Sequence, residues 1–120
     1  MQILLQLRSK VPIYEQIVTQ VKQQVITGAL KDGDPIPSMR ALAKTLQVSV
    51  ITVQKAYEEL QRQDLIESLA GRGTFIKSPD KKEIQQEYRA AIAELVAKIV
   101  ALARDSDIPM QDVIQMFKEL

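Results

Sequence analysis

The chain contains no cysteine and no histidine. Disulfides, cysteine-rich zinc sites, Cys/His nucleophile pairs and Ser/His/Asp triads are therefore excluded by inventory. No apolar run approaches the roughly 18 residues needed to cross a bilayer. The start MQILLQLRSKVPIYEQ meets charge too early for a signal peptide, so residence in the cytoplasm is expected. An excess of charge of one sign is also missing, with 16 Lys and Arg against 15 Asp and Glu. At 120 residues the chain is long enough for one compact domain, or a small domain with an appendage, but not for two lobes around a deep cleft. A hydrophobic fraction of 46% with 26% charged residues argues against both disorder and a membrane protein.

The charge is distributed unevenly. Residues 1 to 78 hold ten Lys and Arg against seven Asp and Glu, whereas residues 79 to 120 hold six against eight. A weakly basic first part and an acidic second part suit a polyanion reader joined to something that is not one.

Hydrophobic spacing predicts the helices. Ile13, Ile17, Val21 and Val25 recur every four positions, widened by Tyr14 and Val18, which predicts an amphipathic helix from Pro12 to about Thr27 ended by Gly28. The stretch GALKDGDPIPS that follows reads as turn and loop. Ser38 is a candidate N-cap for a second helix that buries Leu42, Ala43 and Leu46. Ser49 is a candidate N-cap for a third helix, to about Gln63, that buries Val53, Ala56, Tyr57 and Leu60. LIES and GTFIK, separated by Leu69 to Arg72, predict a β-hairpin, and Pro79 and Asp80 end the unit. A long helix to about Ala103 and a short one from near Pro109 complete the chain. There is no internal repeat or low-complexity tract.

Two short helices joined by a tight turn form a helix-turn-helix when a small residue lies at the crossing, an apolar residue in the turn and a branched residue inside the second helix. Ala43, Val48 and Val53 occupy those places. Gln47 stands where positive φ is expected, at a cost on the order of 1 kcal/mol. The third helix should then present Val50, Ile51, Gln54 and Lys55 outward near its leading end, with Ser49 and Thr52 beside them. Gln54 can pair with adenine, Ser49 and Thr52 can bond phosphates, and Val50 or Ile51 can pack on thymine methyls; the alternative for Ile51 is burial against the second helix. Arg40 and Lys44 should straddle a phosphate strand, or else form a solvated cationic face. Arg72 at the hairpin tip, flanked by Gly71 and Gly73, reads as a wing residue for the minor groove or a phosphate.

The run GDPIPSMRALAKTLQVSVITVQKAYEELQRQDLIESLAGRGTFI, with PIYEQIVTQVKQQVITGAL before it, resembles the N-terminal domain of the GntR family of bacterial transcription regulators. The resemblance covers about residues 8 to 78. It implies a winged helix-turn-helix, and DNA contacts from Ser38, Arg40, Ser49, Thr52, Gln54, Arg72 and Gly73. Val50 stands where many members have Arg, so their base preference does not transfer. Asp64 stands where Gly often ends the third helix, which leaves the cap geometry open.

The fold expected is thus mainly α with a small β-hairpin: a winged helix-turn-helix over 1–78 and a two-helix dimerisation segment over 79–120. In the second segment Ile84, Tyr88, Ile92, Leu95, Ile99 and Leu102, with Val113 and Phe117 from the last helix, make an apolar face too wide for one chain to cover. A symmetric second copy would cover it, in preference to folding back on the winged domain. So short a C-terminal part resembles the YtrA-like subgroup, which implies control of operons for ABC transporters. About 40 residues leave little room for an enclosed ligand pocket of some 300 Å³. The expected partners are double-stranded DNA and a second copy, with no membrane, cofactor or metal; an effector is not indicated, although the dimer interface would leave room for one. Two other readings compete. One is a protein-interaction adaptor that uses the Val50/Ile51 face without binding DNA. The other is a hydrolase built on Glu58/Glu59 or Asp105/Asp107, whose adjacent carboxylates point apart on a helix.

Overall fold

The computed structural model describes residues 1–77 and 81–120, which form two compact units, Met1–Lys81 and Lys82–Leu120. The expected break at Pro79 and Asp80, and with it the boundary after residue 78, lies outside the described residues.

In the first unit, α1 (Ile13–Thr27), α2 (Met39–Leu46) and α3 (Val50–Arg62) accompany three short strands, β1 (Pro35–Ile36), β2 (Ile66–Leu69) and β3 (Gly73–Ile76). The helices begin and end where side-chain chemistry supplies partners for free backbone groups. Ser38 Oγ accepts from the amide of Ala41, and Ser49 Oγ accepts from that of Thr52. Gly28 closes α1 in the left-handed region at φ 83°. Asp64 does the same after α3 at φ 63°, and its carboxylate accepts from Lys77 Nζ at 2.9 Å. The substitution of Asp for the usual Gly thus keeps the left-handed turn and adds a tie to the end of β3.

The core is one stripe from each helix. Ile17 and Val21 of α1, Leu42 and Ala43 of α2, and Val53, Ala56, Tyr57 and Leu60 of α3 are buried together with Leu65, Ile66 and Ile76. Full burial of side chains such as Ile17 and Leu60 contributes roughly 1.5–3 kcal/mol each. The wing differs from a two-strand hairpin. The stretch expected to be loop contributes β1, which pairs with β3 through Pro35 opposite Phe75 and Ile36 opposite Thr74, giving the antiparallel order β1-β3-β2. Proline is admissible there because β1 is an edge strand and its missing N–H leaves no ladder bond unmade. Leu69 is a strand residue opposite Gly73, so the turn is Ala70 to Arg72, one residue shorter than expected.

Residues 1 to 11 carry a feature with no hydrophobic period. Their backbone lies along α1, held by glutamine side chains. Gln20 accepts from the Leu4 amide at 2.8 Å and donates to the Leu4 carbonyl at 2.7 Å. Gln16 accepts from the Gln6 amide at 2.8 Å and donates to the carbonyls of Gln6 and Val11. Gln24 donates to the Gln2 carbonyl at 2.7 Å. The Gln16 and Gln20 amides thus do for the extended segment what a neighbouring strand would do, Gln24 adds one donated bond, and Ile3 is buried under the segment.

The second unit consists of α4 (Lys81–Asp105) and α5 (Met110–Lys118). Asp107, at φ 55°, and the bond from the Ile108 amide to the Ala103 carbonyl turn the chain between them. Of the residues expected to wait for a second copy, Ile84 and Val113 are already buried and Ile99 is half-buried. The exposed apolar face is therefore narrower than expected. It still includes Tyr88, Ile92, Leu95, Leu102 and Phe117, with Ile92 58% and Leu95 57% exposed.

Replacing Gln20 by Ala removes both bonds to Leu4. At about 0.5–1.5 kcal/mol for a typical bond, and the lower end for an exposed one, a loss of about 1 kcal/mol from the segment is expected. Amide exchange at Leu4 should accelerate while that of Val53 and Leu60 in the core stays unchanged, measured by hydrogen exchange on the full chain.

Candidate nucleic-acid interface

The helix-turn-helix geometry is set at Gln47 to Ser49. Gln47 takes φ 56°, and the amide of Val48 donates to the carbonyl of Ala43 at 3.0 Å. Positive φ at a non-glycine residue is tolerated because the turn lets Ala43 pack at 3% exposure beside buried Val53. Tyr57 makes a second tie. Its hydroxyl donates to the Pro37 carbonyl at 2.7 Å, joining the middle of α3 to the residue before the α2 cap. Burial pushes the Tyr57 phenol up to about 12. The orientation of α2 against α3 thus rests on packing and on one partly buried hydrogen bond.

With Val53, Ala56, Tyr57 and Leu60 inward, the opposite face of α3 is defined. Val50 and Ile51 are exposed, Ile51 at 77%, so the alternative of burial against α2 does not hold. Gln54 is exposed and donates from Nε2 to Glu58 Oε1 at 3.1 Å. Lys55 is exposed but turns toward α1, its Nζ 4.0 Å from the centre of the Tyr14 ring, a cation–π contact worth about 0.5–1 kcal/mol at such a site. It is therefore less aligned with Gln54 than its outward position suggested. Ser49 Oγ and Thr52 Oγ1 lie 2.9 Å apart. Two hydroxyl protons serve one bond between them, so one proton remains to donate outward even with the helix cap in place.

Arg40 and Lys44 are exposed on α2, and the first turn of that helix carries the capped, partly free amides beside Arg40. Arg72 is exposed in the wing turn between Gly71 at φ 74° and Gly73 at φ 109°. No Cβ clash forbids a side chain at either glycine, so positive φ alone accounts for them. At the far end of α3, Arg62 makes a bidentate pair with Glu59, and Gln63 donates to the same carboxylate. These bonds, Arg62 first, pull Glu59 down to about 2. Glu59 is thereby engaged in closing the helix, and Glu58 in holding Gln54; the carboxylates singled out as hydrolytic candidates on α3 each have a structural partner. No group of three or more metal-ligating side chains occurs among the described residues.

A helix-turn-helix with its second helix exposed at the leading end, followed by a β2–β3 hairpin that β1 extends to a three-stranded sheet, defines a winged-helix DNA-binding domain. The sequence profile described as "Bacterial regulatory proteins, gntR family" matches residues 13–76. The chain belongs to the GntR family and is a DNA-binding transcription regulator rather than an enzyme. It is 36% identical over 113 residues to the HTH-type transcriptional repressor YtrA of Bacillus subtilis, covering 94% of this chain and 87% of that one. A YtrA structure from Sulfolobus acidocaldarius, described as a GntR-family transcription factor, superposes with a TM-score of 0.65 at 37% identity, over 79% of this chain and 97% of that one. The DNA-binding domain of AraR in complex with operator ORR3 superposes with a TM-score of 0.52 at 29% identity, over 63% and 92%. The mainly helical winged fold expected from the sequence is the fold found, with the third strand added.

Replacing Tyr57 by Phe removes the bond to Pro37 and is expected to cost about 1 kcal/mol. The folded-state phenol titrates above its ordinary value of 10, so its stabilisation is complete below pH 10 and is lost as pH rises toward about 12. Denaturant unfolding of the wild type should show an alkaline loss of stability in that window, and the Phe variant a smaller one.

Proposed function

We propose that two copies of this chain bind a pseudo-palindromic operator in the cytoplasm and repress transcription by occluding a promoter. The observation that carries the reading is the exposed leading end of α3, where Val50, Ile51 and Gln54 lie outward with no core role. Gln54 reads a base edge, Val50 and Ile51 pack on thymine methyls, and the spare Ser49/Thr52 proton meets a phosphate. Ser38 and Arg40 hold a phosphate strand from α2, with Lys44 and Lys55 adding positive charge at the flanks. Arg72 and Gly73 bring the wing to the backbone or minor groove. Repression is supported by the similarity to the repressor YtrA, and operator binding by the likeness to AraR, whose domain is described in complex with an operator. Resemblance to YtrA-like regulators supports an ABC-transporter operon as the target.

In this reading residues 1–78 bind DNA and residues 79–120 pair the copies. The pairing is supported by the free face of α4 and by an open apolar cleft of about 360 Å³ between α4 and α5, bordered by Leu102, Met116 and Phe117. Monomers rarely keep so large an apolar surface in water, and a two-fold partner covers both copies with one interface.

Mobility shifts with duplexes selected from a random pool test the DNA reading. Affinity should fall steeply with salt, Arg40→Ala should weaken all duplexes and reduce the log–log salt slope by about 1, and Gln54→Ala should relax preference at one base pair per half-site. Salt-independent binding would sink it. Failure to retain any duplex at low salt, with Arg40 and Arg72 intact, would favour the protein-interaction adaptor instead.

Sedimentation equilibrium tests the pairing. The chain should sediment at twice its monomer mass, and Ile92→Glu with Leu95→Glu should halve that mass while amide exchange in α3 stays unchanged. A wild-type monomer at micromolar concentration would count against a homodimer.

A further inference from the structure

The hydrogen bond between Gln54 and Glu58 has a consequence for which base Gln54 accepts. A carboxylate can only accept, so the Gln54 amide must turn its nitrogen toward Glu58 and its carbonyl oxygen away. The amide nitrogen has two N–H groups. With Glu58 taking the N–H that points away from the carbonyl, the side chain keeps one N–H and one C=O side by side. An unconstrained glutamine has more choices: it can flip, or offer both N–H groups to a pair of acceptors.

In the major groove adenine presents one acceptor, N7, beside one donor, the N6 amino group, whereas guanine presents two acceptors, N7 and O6. The remaining fork on Gln54 matches adenine and leaves guanine one donor short. We propose that Glu58 is a positioning residue that makes the recognition helix select adenine over guanine opposite Gln54. Spacing supports this role: four residues apart on α3, the two side chains are neighbours on one helix face. Glu58 is one turn further from the leading end, so it can hold the amide without entering the base-contact position. The carboxylate next along the chain, Glu59, is engaged by Arg62 and Gln63 and does not compete for Gln54. Exclusion of water from the groove strengthens a bond that is weak on the free helix.

The inference rests on Gln54 reading a base. Selection from a randomised double-stranded pool with the full chain identifies the pair Gln54 specifies; duplexes carrying adenine or guanine there are then titrated. Glu58→Ala should reduce the adenine-to-guanine affinity ratio roughly tenfold, the size of one good bidentate contact. Glu58→Gln removes the charge but keeps a carbonyl acceptor, and should retain part of the preference. In a Gln54→Ala background, Glu58→Ala should leave the ratio unchanged. Both Glu58 substitutions lie on an exposed helix position and replace Glu with a good helix former, so the variants should fold. An unchanged ratio in Glu58→Ala, with affinity raised equally for all duplexes, would show that Glu58 acts only as a charge and would overturn the proposal. So would equal loss of preference in the Ala and Gln variants. If Gln54→Ala itself changes no base preference, the reading of Gln54 fails, and the positioning role fails with it.

Discussion

The stripe Val53, Ala56, Tyr57 and Leu60 on α3 is the constraint on which the first unit depends. Its helix meets α1, α2 and β2 at once, so none of those three can rotate without opening the core. Because an apolar stripe occupies one side of a helix, its burial dictates which residues lie opposite. Val50, Ile51 and Gln54 are presented together for that reason, and their mutual register is as rigid as the core. The polar contacts refine this arrangement: the Tyr57 hydroxyl sets the start of α2, the Ser49 and Ser38 caps set where the helices begin, and Glu58 sets how the Gln54 amide lies.

Much of this is legible in the sequence. A period of 3.6 leaves a strong trace: the spacing gives the inward faces of α1, α2 and α3, except that Leu46, expected buried, is half-buried, and it gives Ser38 and Ser49 as caps and Gln47 as the left-handed residue. What was not legible depends on contacts between distant residues. The two-residue β1 has no internal pattern, and becomes a strand only because β3, about 40 residues later, supplies its partner. Helical phase places Lys55 outward, but a long flexible side chain takes the nearest attractive partner, here the Tyr14 ring on another helix. The direction of Gln54 likewise depends on one carboxylate a turn away. Periodicity assigns a face; it does not assign where an amide points within that face.

The second unit illustrates a different limit. A stripe of apolar residues along α4 says that something must cover it, but not how much of it is already covered. Ile84 and Val113 are buried and Ile99 is half-buried, while the middle of α4 stays open. The turn at Asp107 brings α5 back near only the last turns of α4, so the two helices leave a cleft instead of a closed pair. A long helix with a short partner is left with unequal coverage along its length, and the uncovered part is the part available for self-association.

The segment ahead of α1 has a length limit of its own. Its rungs step two residues along an extended chain, roughly 6.6 Å, but four residues along the helix, roughly 6.0 Å. The two scales slide past each other like the rulings of a vernier. Over the rungs Gln24–Gln2, Gln20–Leu4 and Gln16–Gln6 the drift stays near 1 Å, which flexible glutamines absorb. Each further rung would widen it, and the chain turns away where α1 begins at Ile13, behind Pro12, which has no side-chain amide to offer. A helix can template an extended strand in this way only for a few residues, so the latch is short by geometry, and Ile3 anchors it to the core.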